Sequence, residues 1–93
     1  MSYELAFHPD ALKEWRTLDK TVREQFKKKL AERMLNPHIN SAKLSAQKNR
    51  YKIKLRNVGY RLVYEVRENE LLILVIAIGK RERNAVYTVS AKR

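Results

Sequence analysis

Residues 51–66, YKIKLRNVGYRLVYEV, alternate apolar and polar side chains on both sides of a short segment that contains a glycine. Alternation with a period of two is typical of a strand with one buried face, and the glycine segment predicts a hairpin turn. The pattern predicts strands over Tyr51–Arg56 and Tyr60–Val66. If the apolar members face a core, the pleat sends the intervening cations to the other face of the sheet. These outward cations are Lys52, Lys54 and Arg61.

The first third of the chain predicts a strand followed by two helices. Residues 3–7 alternate as a half-buried strand does, and His8-Pro9-Asp10 begins a helix because proline is favoured at the first helical position. A second helix begins near Asp19 to Thr21, where Thr21 and Glu24 have the spacing of a capping box, and it ends at Asn36-Pro37. The link between the helices is short, so they should lie antiparallel against one face of the sheet. Their apolar faces are Leu12, Trp15 and Leu18 on the first helix, and Val22, Phe26, Leu30 and Met34 on the second.

The remaining segments complete an α+β fold. Residues 36–50 form a long polar loop, and loops of this length are usually functional or mobile. After a turn at 67–70, the run Leu71–Ile78 is apolar on both faces and predicts a strand inside the sheet, followed by a basic tail over 79–93. We therefore expect one domain over residues 1–93. Its expected architecture is an N-terminal strand, a helical hairpin and a three-stranded antiparallel meander, in a mostly antiparallel four-stranded sheet with helices on one face.

Charge limits the class of partner. The chain has 93 residues with 21 Lys and Arg against 10 Asp and Glu, a net charge of +11 and a pI near 10.2. Such a chain favours a polyanion, and nucleic acid is preferred over a membrane surface because no helix pairs a broad apolar face with aromatic anchors. The chain has no cysteine, so a disulfide framework and a thiolate metal site are excluded. With no signal-like start, we expect a cytoplasmic protein that uses no metal or cofactor.

Two basic clusters are the candidate functional sites. From Lys43 to Arg61 there are seven basic residues and no acid, and Glu65 is too solitary to be their partner. The second cluster, GKRERNAVY, follows the apolar strand directly and contains Lys80, Arg81, Arg83 and Tyr87. The alternative interpretations are a solvated face that discourages edge-to-edge aggregation for the first cluster, and a basic tail with a packed tyrosine for the second.

Other candidates are weaker. His8 and His38 are interpreted as a helix-start residue and a loop residue, and Trp15 as a core residue. There is no glycine-rich phosphate loop, because the chain has two glycines in separate segments. Lys27-Lys28-Lys29 on the second helix is either a solvated face or a contact with a second phosphate backbone.

The blocks ALKEWRTLDKTVREQFKKKL, YKIKLRNVGYRLVYEV and IAIGKRERNAVY, in this order and spacing, resemble the RelE/ParE superfamily of bacterial toxins, and within it the RelE branch. The resemblance covers practically the whole chain. It implies a toxin of a type II toxin–antitoxin system that enters the 70S ribosome, cuts mRNA in the A site and inhibits translation. It also implies neutralisation by a cognate RelB-like antitoxin, and binding of operator DNA by the toxin–antitoxin complex alone. The family often has a glycine soon after the loop leucine, where Leu44 is followed here by Ser45-Ala46.

The resemblance also implies site residues. The family's activity is ascribed to two hairpin lysines, an arginine on the next strand, an arginine after the last long strand and a tyrosine near the C-terminus. Those descriptions fall on Lys52, Lys54, Arg61, Arg81 and Tyr87. Contacts with RNA or the ribosome are expected from Lys43, Lys48, Arg50, Arg56, Lys80, Arg83, Lys27 and Lys28.

The chemistry can be argued from the residue types. Cleavage of RNA by its own 2′-hydroxyl requires a base for that proton, stabilisation of the phosphorane and an acid for the 5′-oxygen. Clustered cations stabilise the phosphorane and lower one another's pKa. We expect Arg61 and Arg81 to hold the phosphate, Lys52 or Tyr87 to take the 2′ proton, and Lys54 or Arg81 to serve the leaving group. The rival functions are a gyrase-inhibiting toxin of the same fold and a non-catalytic nucleic-acid-binding module.

Overall fold

The computed structural model describes residues 2–82 and 84–93. The elements in chain order are β1 (Glu4–Phe7), α1 (Pro9–Arg16), α2 (Lys20–Leu35), β2 (Arg50–Leu55), β3 (Tyr60–Arg67), β4 (Leu72–Lys80) and α3 (Ala85–Ala91), with 3₁₀ turns at Asn40–Ala42 and Glu68–Glu70. The strands form a sheet in the order β1-β4-β3-β2, with β1 parallel to β4 and the other neighbours antiparallel. The predicted α+β fold with a mostly antiparallel sheet is confirmed.

The helix ends agree with the sequence signals in all but one case. The backbone N–H of Asp10 donates to Nδ1 of His8, which caps α1 as a helix-start residue should. The N-cap of α2 is Asp19, and Thr21 already lies inside the helix, so the predicted capping box was wrong. Asn36 ends α2, as predicted from the following proline.

One face of the sheet packs against the helical hairpin of α1 and α2. The alternation of β2 and β3 places their apolar residues in this core, together with buried side chains from both helices. Ala11 of α1 is fully buried, and Phe26 and Leu30 of α2 are buried as well. The strand residues of this core are Tyr51, Ile53, Leu55, Leu62, Tyr64, Val66, Ile73, Val75 and Ile78.

The opposite face is covered in part by α3, which the sequence had left as an ambiguous tail. Val63 of β3 and Ile76 and Ala77 of β4 form a second buried cluster with Val86 of α3. The register of β3 and β4 shifts between Val63 and Tyr64, so Ile76 has no Cα partner on β3 and both Ile76 and Ala77 lie in the cluster under α3. Helices therefore lie on both faces of the sheet, so the expectation of helices on one face was wrong for α3. β4 is buried on both faces, as its continuous apolar run indicated.

The outer surface of the hairpin carries the predicted cations. Lys54 lies directly opposite Arg61, and Lys52 directly opposite Val63, on the face that α3 covers in part. β2 is the edge strand of the sheet, and its Lys52 and Lys54 point to the same face as Val63 and Arg61. Within the described residues, no helix is both long enough and apolar enough to span a membrane.

Candidate active site

A cationic cleft of about 190 Å³ lies at the turn end of the β2–β3 hairpin. Its lining residues are Lys54, Leu55, Arg56, Gly59, Tyr60, Arg61 and Arg81. Gly59 turns the chain with a positive φ of 69°, a conformation that side-chain-bearing residues adopt with strain. Its carbonyl accepts a 2.7 Å hydrogen bond from the backbone N–H of Arg81, which ties the segment after β4 to the hairpin turn. The hairpin turn therefore positions Arg81 beside Lys54 and Arg61.

Tyr87 of α3 lies against Arg61, one of the residues that line this cleft. The guanidinium carbon of Arg61 lies 5.2 Å from the centroid of the Tyr87 ring, and Nη1 of Arg61 donates to Oδ1 of Asn84 at 3.1 Å. The Tyr87 hydroxyl and Nε of Arg61 are both buried and have no hydrogen-bond partner among the residues described. Leaving a buried donor unsatisfied is energetically costly, so these two groups are a local source of strain beside the cleft.

The electrostatics of the cleft shift two pKa values in opposite directions. The charge of Lys52 is the largest cause of a lowered pKa at Lys54, followed by desolvation and the charges of Arg61, Arg56 and Arg81. Burial raises the pKa of Tyr87, and the charge of Arg61 opposes that rise only in part. Lys54 therefore releases its proton more readily than an ordinary lysine, whereas the phenol of Tyr87 stays protonated at neutral pH.

The cations are not neutralised from within the protein. Among residues 2–82 and 84–93, no carboxylate pairs with Lys52, Lys54, Arg61 or Arg81. Lys54, Arg61 and Arg81 line the first cleft, whereas Tyr87 lies against Arg61 without being among the lining residues. Within the same ranges, there is no cluster of three or more side chains suited to a metal ion.

A second cationic cleft of about 280 Å³ continues from the first along the edge of β2. It is lined by Arg33, Ser41, Ala42, Lys52, Lys54 and Arg56, so Lys54 and Arg56 border both clefts. Nη1 of Arg33 donates to the Tyr64 hydroxyl at 2.9 Å and to the Lys52 carbonyl at 3.3 Å, which fixes the guanidinium at the base of the cleft. Together the two clefts could accommodate more than one phosphate of a nucleic-acid chain.

The structure separates the predicted RNA-binding residues into two groups. Arg56 lines both clefts, and Lys80 is exposed at the end of β4 opposite Tyr60, close to the first cleft. Lys43 is exposed and its backbone bridges to Tyr51 in β2. Arg83 lies outside the described residues.

The other predicted RNA-binding residues lie away from the two clefts. Lys48 lines a separate depression with Glu65, Arg67 and the turn at 68–70. Lys27 and Lys28 are exposed on α2, where Lys27 lies 3.5 Å from Glu24 and borders an apolar groove beside β1. Any contact they make with RNA must therefore involve a second segment of backbone.

Arg50 and Glu65 correct one detail of the sequence analysis. Arg50 lies directly opposite Glu65 in the sheet, and its Nε donates to Oε1 of Glu65 at 3.1 Å. Arg67 also donates to Glu65, at 2.8 Å. Glu65 was expected to be too solitary to pair with the basic segment, and for Arg50 that expectation was wrong. For Lys52, Lys54 and Arg61 it holds.

Asn84 and Arg33 were missed by the sequence reasoning. Asn84 adopts the left-handed conformation ahead of α3 and orients Arg61; an asparagine between a basic cluster and an apolar run was the available signal. Arg33 sits three residues after Leu30, on the apolar face of α2, and a cation at such a position indicates a specific partner.

Comparison with known proteins identifies relatives over the whole chain. The family model of the ParE toxin of type II toxin–antitoxin systems matches residues 5–85. The mRNA interferase toxin RelE of Escherichia coli K12 is 53% identical over 93 residues, which is 100% of this chain and 98% of that protein. A solved structure of a double arginine-to-alanine mutant of E. coli RelE in the free state has a TM-score of 0.92 at 50% identity, covering 100% of this chain and 98% of that one. The toxin in the intact E. coli RelBE toxin–antitoxin complex has a TM-score of 0.85 at 52% identity, covering 88% and 100%.

Proposed function

This chain belongs to the RelE/ParE superfamily of type II toxin–antitoxin toxins, and on that basis we propose that it is a ribosome-dependent endoribonuclease. It cleaves mRNA in the ribosomal A site and thereby inhibits translation in the cytoplasm. A RelB-like antitoxin neutralises it, and the two proteins together bind operator DNA. The antitoxin is supported by the likeness to the toxin of the RelBE complex, and the nuclease by the name mRNA interferase of a relative with 53% identity.

The observation that supports the proposal is a pair of adjoining cationic clefts, the first lined by Lys54, Arg61 and Arg81 and the second by Lys52, with Tyr87 lying against Arg61. A non-catalytic module would need positive charge alone. It would not need a lysine of lowered pKa directly opposite an arginine that lies against a buried tyrosine.

Arg61 and Arg81 bind the scissile phosphate in this mechanism. The 2′-oxygen attacks phosphorus while its proton passes to a base, and the 5′-oxygen leaves with a proton from an acid, so the products are a 2′,3′-cyclic phosphate and a 5′-hydroxyl. The guanidinium groups offset the charge that develops on the phosphorane oxygens. Nε of Arg61 is buried in the free protein, so the side chain must reorient before this N–H can donate to one of those oxygens.

The pKa directions decide between the remaining roles. Lys54 carries the lowered pKa and serves the departing 5′-oxygen, because a lysine that releases its proton more easily is the better acid. Tyr87 has a raised pKa, so its neutral phenol donates a hydrogen bond to the attacking or phosphorane oxygen. Lys52, which lines the adjoining cleft, takes the 2′ proton in this scheme, and it must be in its neutral amine form when the 2′-oxygen attacks.

Weak acids and bases make a slow nuclease on free RNA. Alignment of the 2′-oxygen, phosphorus and 5′-oxygen by a host surface can contribute several powers of ten to the rate. The ribosome supplies that alignment in this proposal, and naked RNA of the same sequence should be cut far more slowly.

The proposal is tested by mapping message ends on programmed ribosomes. The parent protein should cut the A-site codon, and Arg81→Ala and Lys54→Ala proteins should bind ribosomes yet lose about a hundredfold or more in single-turnover rate. Lys13→Ala and Arg16→Ala are matched controls, because both remove an exposed cation outside the clefts and should cleave at the parental rate.

Two outcomes would contradict the proposal. Full cleavage by both Arg81→Ala and Lys54→Ala would remove the assigned chemistry. An intact message together with inhibited supercoiling by DNA gyrase would instead support the gyrase-inhibiting rival within the same superfamily.

A further inference from the structure

The C-terminal half of α3 is tied to the loop before β2 through three side chains. Nε2 of Gln47 donates to the carbonyl of Tyr87 at 3.1 Å, and Nη1 of Arg50 donates to the carbonyl of Ser90. The Ser90 side chain is fully buried, with its Oγ 3.1 Å from Oε1 of Gln47 and 2.9 Å from the Tyr87 carbonyl, so its proton can serve either acceptor. We call Gln47, Arg50 and Ser90 the α3 latch.

The α3 latch is itself fixed to the sheet. Arg50 has a side chain that is 14% exposed, and it donates to both Glu65 and Gln47 at 3.1 Å. Burial alone would raise the pKa of Glu65, but hydrogen bonds from Arg67 and Arg50 more than offset it and lower that pKa. The carboxylate is therefore ionised at neutral pH and holds Arg50 in its position below α3.

A helix as short as α3 depends on such contacts. It spans seven residues, and isolated helices below about 12 residues are unstable in water. The Ser90 carbonyl near the end of α3 accepts from the backbone N–H of Arg93 as well as from Arg50, and a guanidinium at that end interacts favourably with the helix dipole. Apart from the latch, α3 is held to the sheet by Val86 in the second core cluster and by Arg93, which donates to Glu14 and to the Ile76 carbonyl.

The latch lies next to Tyr87, the residue of α3 that is proposed to act in cleavage. The carbonyl that Gln47 binds belongs to Tyr87, and the ring of Tyr87 lies against Arg61 in the catalytic cleft. The Tyr87 ring packs against the second core cluster and against Arg61, so its position depends on where α3 lies on the sheet. A shift of the helix of about 1 Å would move the hydroxyl away from the phosphate, and misplacement of that size can cost about a hundredfold in rate.

We propose that Gln47, Arg50 and Ser90 are positioning residues of the active site, which hold the backbone of α3 so that Tyr87 stays against Arg61. The catalytic half of this statement depends on the proposed nuclease function, whereas the geometric half does not. Arg50, expected from the sequence to contact RNA, is assigned to the scaffold instead.

The geometric half is tested by NMR on labelled protein. The parent should show nuclear Overhauser contacts between the Tyr87 ring and the Arg61 side chain, together with slow amide exchange in α3. Arg50→Ala and Gln47→Ala proteins should lose those contacts and exchange α3 amides at least tenfold faster, while the exchange of β3 and β4 is unchanged. Arg16→Ala is the matched control: it removes an exposed arginine of α1 that takes no part in the latch, and it should behave as the parent does.

The catalytic half is tested by a double-mutant cycle on programmed ribosomes. Arg50→Ala should slow cleavage about ten- to a hundredfold, and it should have no further effect in a Tyr87→Phe background, because the interaction it supports is already gone. A general structural defect would slow both backgrounds by the same factor. Gln47→Ala, a loop substitution, carries the test if Arg50→Ala fails to fold.

Three results would overturn the inference. They are parental Tyr87–Arg61 contacts in both latch variants, parental cleavage by both, and an equal loss from Arg50→Ala in the two backgrounds. If the parent itself leaves every message intact, the nuclease proposal fails, and the NMR comparison alone decides whether the latch holds Tyr87.

Discussion

At Lys54, the positive charge proposed for function lowers the stability of the folded protein. It lies directly opposite Arg61, and like charges in that relation destabilise a sheet. The nearby Lys52 and three arginines lower its pKa, which means that the folded protein disfavours the charged form of Lys54. Such an arrangement persists where a ligand of opposite charge is to be bound.

Replacing Lys54 should therefore stabilise the protein while it abolishes cleavage. Because the folded-state pKa lies below the unfolded value of 10.5, the repulsion is fully present at neutral pH and is lost as the pH rises through the lowered pKa. We expect Lys54→Gln to raise the melting temperature by roughly 1–4 °C at pH 7 and low salt, and by less near pH 10. Thermal melts at both pH values measure this, with Lys13→Gln as the exposed-lysine control. A lower melting temperature at pH 7 would contradict it.

At the scale of elements, the close packing of α3 on β4 depends on Gly79. A Cβ built on Gly79 would lie 3.0 Å from Cγ2 of Val86, closer than side chains normally approach, although the backbone there is unstrained. The glycine therefore lets α3 sit directly on the end of β4, beside the residues that lead to Arg81.

Gly79→Ala should consequently push α3 away from the sheet. We expect a loss of about 1 kcal/mol in unfolding free energy, because overpacking of a core contact costs about 1–3 kcal/mol and this one is at the edge of the cluster. Val86→Ala removes the opposing methyl groups, so Gly79→Ala should cost nothing further in that background. Denaturant unfolding of the four proteins of this cycle measures the coupling; additive losses would show that the Val86 contact is not the cause.

The elements differ in how far the sequence could predict them. The alternation of apolar and polar residues was enough to place Lys52, Lys54 and Arg61 on one face, because successive side chains point to opposite faces in every strand. The bulge at Ile76 could not be predicted, since a uniformly apolar run looks the same in either register. The pairing of Arg50 with Glu65 likewise depends on the register of β2 against β3, which the sequence does not specify. The helix α3 is stabilised by contacts with the loop and the sheet, and a local sequence pattern does not reveal such contacts.

At the scale of the whole molecule, charge is distributed unevenly along the strands. Lys54, Arg61 and Arg81 lie close to the β2–β3 turn, at one end of the meander. Glu68 and Glu70 lie in the β3–β4 turn, at the other end. A protein of net charge +11 with this polarity approaches a polyanion with its cleft foremost, which raises association rates at low ionic strength.

The lysines of α2 test whether a second strand of phosphate is bound at the same time. If Lys27 and Lys28 contact phosphates, replacing both by Gln should reduce the slope of log affinity against log salt by about 1.4–1.8. The inert Arg81→Ala protein is the background, so that binding to ribosomes can be measured without cleavage. Replacing Lys13 and Lys20 by Gln removes the same net charge from exposed positions. If the salt slope falls more for the Lys27 and Lys28 pair than for this control pair, the α2 lysines contact phosphates directly and do not act through net charge alone. Equal slopes would mean that α2 presents a solvated face, and the cleft alone would then account for ribosome binding.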